Sequence, residues 1–275
     1  MRTILKMLLG LILLTLAVLL AVFILRRPSN DRVWMPGFAI SPEIEIVGDQ
    51  LNIRNIRNSR YDAEAKATLA HYDHSFDLAE LESVWFILSP FRDDWRGPAH
   101  SFLSFGFVDS TFLAVSVEAR KEPGESYSIW KGLFRSFELT YVIGDERDLI
   151  PLRTNIWKDD VYVYPVKTSP EKARELLVDV LARAKALQEK PEFYNTLTQN
   201  CTSALREHVN RIAPGKVANS WKLVITGYSD ELAMDSGLID WTGDIDSARR
   251  RFRVNKKAMR YVDDPLFSLR IREGD

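Results

Sequence analysis

The sequence predicts an α+β protein in which an antiparallel sheet packs on helices, behind one N-terminal transmembrane helix. Three observations carry this expectation. Met7 to Leu25 is an apolar run. His100–Phe107 and Phe112–Glu118 are two arms rich in aromatic and β-branched residues around the short turn Val108-Asp109-Ser110, as a β-hairpin requires. From Ala173 to Leu187 the apolar residues recur at three- and four-residue spacing, which gives a helix with one apolar face.

The first element is the apolar run. Its nineteen residues, at about 1.5 Å each, reach roughly 28 Å, the thickness of a bilayer's hydrocarbon layer. A cleaved signal peptide would have a shorter apolar core followed by small residues at a cleavage site. Here Val22, Phe23, Ile24 and Leu25 lead straight into Arg26 and Arg27, so the segment reads as an uncleaved anchor. Arg2 and Lys6 flank the other end, and the charge rule therefore does not set the orientation. A single N-terminal anchor ahead of a large domain places that domain outside the cytoplasm. The expected division is an anchor over 1–27, a linker over 28–49 that is rich in Pro, Gly and Ser, and one domain over 50–275.

Composition narrows the function classes. Lys and Arg number 37 against 38 Asp and Glu, for a net charge of −1. A general nucleic-acid binder needs a clear basic excess, so no nucleic-acid partner is expected. Seven Trp, nine Tyr and fourteen Phe suffice for a substantial core. The single cysteine cannot form an internal disulfide, and the fold must rest on its core.

Further along the chain, 51–56 and 68–76 alternate weakly, as half-buried strands do, with a short turn or helix over 77–81. Ser83 to Leu88 is a continuous apolar run that suits a buried strand. Strands are also expected over 138–143 and 161–166. Ser169-Pro170 opens the long helix with an N-cap serine and a first-turn proline, and Pro191 ends it. A second helix is expected from near Asn200 to about Ile212, stopped by Pro214-Gly215.

The second helix puts Cys201 in its first turn. Unpaired backbone N–H groups and the positive end of the helix dipole favour a thiolate there. Leu205, Val209 and Ile212 share its face, so the sulfur points into the protein. A lone cysteine is also commonly just a small buried hydrophobe, and position alone leaves both readings open. A nucleophilic thiol needs a base. His208 lies two turns away on the same helix, too far to serve. His71 and His74 lack further ligands at metal-site spacing, and no metal is expected. His100 begins a strand after a Gly-Pro loop, at the mouth of a sheet. With a three-residue turn it falls opposite Glu118, whose carboxylate would orient the imidazole; a slip of one residue would put Ala119 there, and Glu118 would then be free to pair with Arg120 or Arg60. Tyr194 and Asn195, just before the cysteine helix, are candidates for a substrate-binding, oxyanion-donating role, with packing as the alternative. Residues 247–262 hold seven basic residues and no acidic one, either facing lipid headgroups or neutralised by Asp244, Asp246, Asp263 and Asp264.

Four stretches carry a family resemblance: Ala99-His-Ser-Phe-Leu-Ser-Phe-Gly-Phe107, Ser116-Val-Glu-Ala-Arg120, Val142-Ile-Gly-Asp-Glu-Arg-Asp148 and Glu192-Phe-Tyr-Asn-Thr-Leu-Thr-Gln-Asn-Cys-Thr202. Together they resemble the Lnb N-terminal periplasmic domain family, a set of bacterial lipoprotein N-acyltransferase-like proteins, over roughly 50–270. The resemblance implies a permuted papain-like thiol fold of the NlpC or lecithin-retinol acyltransferase type, with the histidine strand ahead of the cysteine helix. It implies Cys201 as nucleophile, His100 as base and an acyl thioester intermediate. The expected protein is thus a single-pass inner-membrane acyltransferase or hydrolase facing the periplasm, acting without a cofactor on a phospholipid or lipoprotein acyl group. Lnb proteins carry additional membrane-spanning helices where this sequence shows one. The alternatives are a cysteine peptidase or amidase of the cell envelope, and an inactive envelope binding module.

Overall fold

The computed structural model describes residues 2–62, 64–91 and 96–274. One mixed sheet dominates it, because the β-branched and aromatic runs pair while the amphipathic stretches cover them. Its strands are β1 (Glu43–Val47), β2 (Gln50–Arg57), β5 (His71–Asp77), β6 (Leu81–Pro90), β7 (Ala99–Phe107), β8 (Phe112–Arg120), β9 (Glu138–Asp145) and β10 (Tyr162–Pro165), with the short pair β3 (Arg60–Tyr61) and β4 (Ala67–Thr68) set apart. The order is β1-β2-β9-β8-β7-β6-β10, with β5 on β2. All ladders of the sheet are antiparallel except the β2–β9 contact.

The helices are α1 (Arg2–Leu25), α2 (Pro36–Ala39), α3 (Ile129–Leu133), α4 (Glu146–Pro151), α5 (Pro170–Glu189), α6 (Cys201–Ile212), α7 (Ser229–Asp235), α8 (Ile245–Phe252), α9 (Asn255–Arg260) and α10 (Phe267–Arg270). Both faces of the central strands are covered. Leu103, Phe105 and Val115 pack into the core that holds Leu177, Leu181 and Leu205 of α5 and α6. Phe102 and Ala114 point the other way, against Leu149, Ala258 and Phe267 of α4, α9 and α10. Burial on two sides is why β7 has no exposed residue and why 83–88 reads as a continuous apolar run.

Local signals account for the boundaries of the elements that build the site. Ser169 caps α5, its side chain accepting from Lys172 N. Asn200 caps α6 by accepting from Ser203 N, and Ser203 accepts in turn from the Asn200 N–H. The β7–β8 loop closes through Ser110 at φ 68°, with Phe107 N donating to Thr111 O at 3.0 Å. The loop therefore has three residues.

Three expectations need correction. Residues 28–49 are more than a linker: they contain α2 and β1, and the alternating Glu43-Ile-Glu-Ile-Val47 pairs along the edge of β2. The 68–76 segment is broken: Ala67–Thr68 pairs with Arg60–Tyr61, and the sheet strand starts at His71. In the 247–262 cluster, Arg249 is neutralised chiefly by Asp230 and Glu231 from α7, with Asp246 a lesser partner. Arg253 pairs with Asp160. Between β6 and β7, residues 92–95 lie outside the described residues.

The N-terminal segment is helical from Arg2 to Leu25. Among the described residues no helix is long and apolar enough to cross a membrane. The side chains at positions 2, 3, 16, 19, 20 and 22 of α1 fall outside that description.

Candidate active site

The first strand residues of β7 and the first helical residue of α6 meet at one end of the sheet. Cys201 Sγ lies 3.9 Å from Ala99 O, next to His100, and Ser101 Oγ lies 3.1 Å from Thr202 Oγ1. Ala99 is itself clamped by Thr226, whose hydroxyl accepts from Ala99 N at 2.8 Å and donates to Ala99 O at 2.7 Å. These contacts set the helix tip against the strand end.

The β7–β8 register is Phe102 opposite Ser116 and Phe105 opposite Leu113. Extended by two residues, it puts His100 opposite Glu118. Their side chains meet there: His100 Nε2 is 3.2 Å from Glu118 Oε1. Ser116, two residues earlier on the same face of β8, lies 2.6 Å from His100 Nε2 and donates to Glu118 Oε1 at 2.7 Å. Arg153 holds Glu118 from behind, its Nη2 donating at 2.9 Å. That arginine sits in a π-helical turn, Leu152–Trp157, and lies over the Phe102 ring. Such turns are rare and recur at functional sites. Ser116 and Glu118 both engage the ring through Nε2.

Electrostatics follow the geometry. Burial pushes the Cys201 thiol up, but the adjoining His100 imidazolium brings it down to about 7. Burial pushes His100 down, and the Glu118 carboxylate outweighs it, raising the imidazole to about 9. Burial would raise Glu118, yet His100 and Arg153 hold it far below the usual carboxylate range. Between pH 7 and 9 the favoured form is therefore a thiolate beside an imidazolium, a coupled pair that titrates together.

These groups line a cleft of about 460 Å³. Its other walls include Phe91, Tyr127, Ile129, Trp157, Tyr194 and Ile225. Tyr194 is buried, with its hydroxyl 3.5 Å from that of Tyr127, and burial together with the nearby Cys201 holds that hydroxyl well above its ordinary value. Tyr194 thus lines the cleft near Cys201. Asn195 is not among the cleft walls; its Oδ1 accepts from Leu197 N and Thr198 N, which closes the turn before α6.

The other histidines stand apart. His208 is buried between Asp179, at 2.5 Å, and the Tyr141 hydroxyl, at 2.7 Å. His71 and His74 lie on β5, with His74 packed edge-on against Phe76. Among the described residues no group of three His, Cys, Asp or Glu is placed to hold a metal ion. Sequence reasoning missed Ser116, Arg153 and Thr226. Ser116 was discoverable, because the register that brings Glu118 to His100 also puts Ser116 on the same face. Arg153 and Thr226 carry no local signal.

The model of the Lnb N-terminal periplasmic domain family matches residues 68–227, a span that holds His100, Glu118, Tyr194 and Cys201. No curated protein and no solved structure matches the chain.

Proposed function

The chain belongs to the Lnb N-terminal periplasmic domain family, and on that premise we propose that it is a thiol acyltransferase or acyl hydrolase with a permuted papain-like arrangement of Cys201, His100 and Glu118. The observation that carries this reading is the lone cysteine at a capped helix tip, sharing one apolar-walled cleft with a His100 that Glu118 holds at 3.2 Å; the imidazole's charge favours the thiolate there. An inert buried thiol would be raised by its surroundings.

The chemistry balances as two half-reactions. The Cys201 thiolate attacks the carbonyl carbon of an acyl ester, forming a C–S bond and an oxyanion. Cys201 is the first residue of α6, where helix geometry leaves backbone N–H groups without an intrahelical acceptor, and these with the Tyr194 hydroxyl stabilise that charge. Collapse expels the alcohol, which takes its proton from the His100 imidazolium. An amine or water then attacks the thioester, giving its proton to His100 as the thiolate leaves. Glu118, held by Ser116 and Arg153, keeps the ring aligned throughout. Phe91, Ile129 and Ile225 along the cleft favour an acyl chain over a peptide backbone, which would need paired polar groups. The substrate is accordingly a phospholipid or lipoprotein acyl group.

The domain would be held at the inner membrane by α1, whose 24 residues extend about 36 Å. Incubation with a phospholipid should add one acyl mass to the protein by intact mass spectrometry. Cys201→Ala should lose that adduct while keeping its circular dichroism. An unchanged adduct in the variant overturns the proposal.

A further inference from the structure

Large apolar side chains gather in water around the cleft mouth. Trp157 and Leu197 line the cleft and are 51% and 49% exposed. Trp130, 71% exposed, follows the lining residue Ile129; Trp221, 56% exposed, accepts at its carbonyl from the lining residue Val224; and Phe134, just past α3, is 60% exposed. Single exposed apolar residues are ordinary, whereas a group of them around one opening marks an interaction surface.

Charge is sorted in the same place. Residues 126–137, 193–206 and 216–229, which form much of this rim, contain no acidic residue in a chain that has as many acids as bases overall. Lys131 and Arg135 are the cations on the α3 side.

The patch is also continuous with α1. Phe23, in the last turn of that helix, packs edge-on against Phe134 at 6.4 Å. Arg135 donates to Phe23 O at 3.2 Å and lies over the Phe23 ring. The exposed apolar surface of α1, which includes Ile4, Leu8, Leu11 and Val18, therefore runs into the rim. A tryptophan-rich surface with three segments free of acidic residues, at the end of an apolar helix, has the composition of a membrane–water interface.

We propose that the cleft mouth is a bilayer-docking surface. Trp130, Phe134 and Trp221 seat in the interfacial layer of the phospholipid membrane that holds α1, and acyl chains reach Cys201 from the lipid side. This placement, which rests on the anchored-enzyme reading above, orients the cleft towards the membrane rather than the surrounding water.

The single cysteine makes the test direct. In a full-length Cys201→Ser background, Trp130→Cys and Trp221→Cys each receive an environment-sensitive fluorophore. Glu82→Cys, at the far end of β6, and Leu14→Cys, within α1, serve as references. The proteins are placed in phosphatidylethanolamine–phosphatidylglycerol vesicles that contain nitroxide-labelled lipid. Labels at 130 and 221 should be quenched several-fold more than the label at 82. Quenching at 14 without quenching at 130 and 221 overturns the docking surface and leaves the anchor standing. Quenching at 130 and 221 without quenching at 14 supports the docking surface and removes the anchor. A blue shift at 130 and 221 without nitroxide quenching assigns the rim to a protein contact and overturns the proposal.

Discussion

His100 and Glu118 meet at 3.2 Å across neighbouring strands. Ser116 bridges them on one side and Arg153 fixes the carboxylate on the other. The carboxylate is thus oriented by two donors before it orients the imidazole. This layered support matches what a base needs when its ring must swing neither away from the sulfur nor into the wrong tautomer.

Glu118→Gln removes the charge that raises His100 and keeps the side chain's shape. The imidazole should fall from about 9 towards its ordinary value, and the thiolate should lose its counter-ion. Thioester formation from a p-nitrophenyl acyl ester should slow at neutral pH by roughly 10²-fold or more. A rate within a factor of two of the parent protein would exclude Glu118 as the orienting group.

The paired titrations predict an unusual pH dependence of stability. His100 is raised in the fold, so its contribution is present below its unfolded value and lost as pH rises to about 9. Cys201 is lowered in the fold, so its contribution is present above its unfolded value and lost as pH falls through about 7. Between pH 7 and 9 the two slopes oppose each other, and urea denaturation of the parent protein should give a nearly flat profile. Cys201→Ala removes one slope. Its stability should then fall with rising pH in that window, by up to about 1.4 kcal/mol per unit. A flat profile in the variant would contradict the assignment.

Asn200 serves two purposes, and they can be separated. Its Oδ1 caps α6 at Ser203 N, at 2.8 Å, while its Nδ2 donates to Thr196 O and Leu223 O, at 2.8 and 2.9 Å. Asn200→Ala should cost roughly 2–4 kcal/mol by chemical denaturation, from a lost cap and buried carbonyls left without donors. Asn200→Ser keeps a capping oxygen without burying a carboxylate against those carbonyls and should cost less. Equal losses in the two variants would mean that the cap contributes nothing.

Much of this arrangement was legible in the sequence where the signal is local. Ser169-Pro170 and Asn200 mark the starts of α5 and α6, because a side-chain cap acts within three residues. The hairpin turn set a register that brings Glu118 to His100. Long-range contacts left no such trace. Arg153 reaches Glu118 through a π-helical turn after Pro151, and Thr226 reaches Ala99 from a 3-10 turn far along the chain. Edge strand β1 was hidden because Pro42 and Gly48 bracket it, and such residues read as loop. Asn195 stands beside Tyr194 in the sequence, yet it closes the turn before α6 and does not line the cleft.

The most direct test is the ionisation of the one thiol, followed by its thiolate absorbance in the ultraviolet across pH 4 to 10. A midpoint near 7 that moves upward in His100→Gln is the predicted result. A midpoint at about 8.5 or above, unchanged in that variant, is the behaviour of an ordinary cysteine and would contradict a reactive pair at the helix tip.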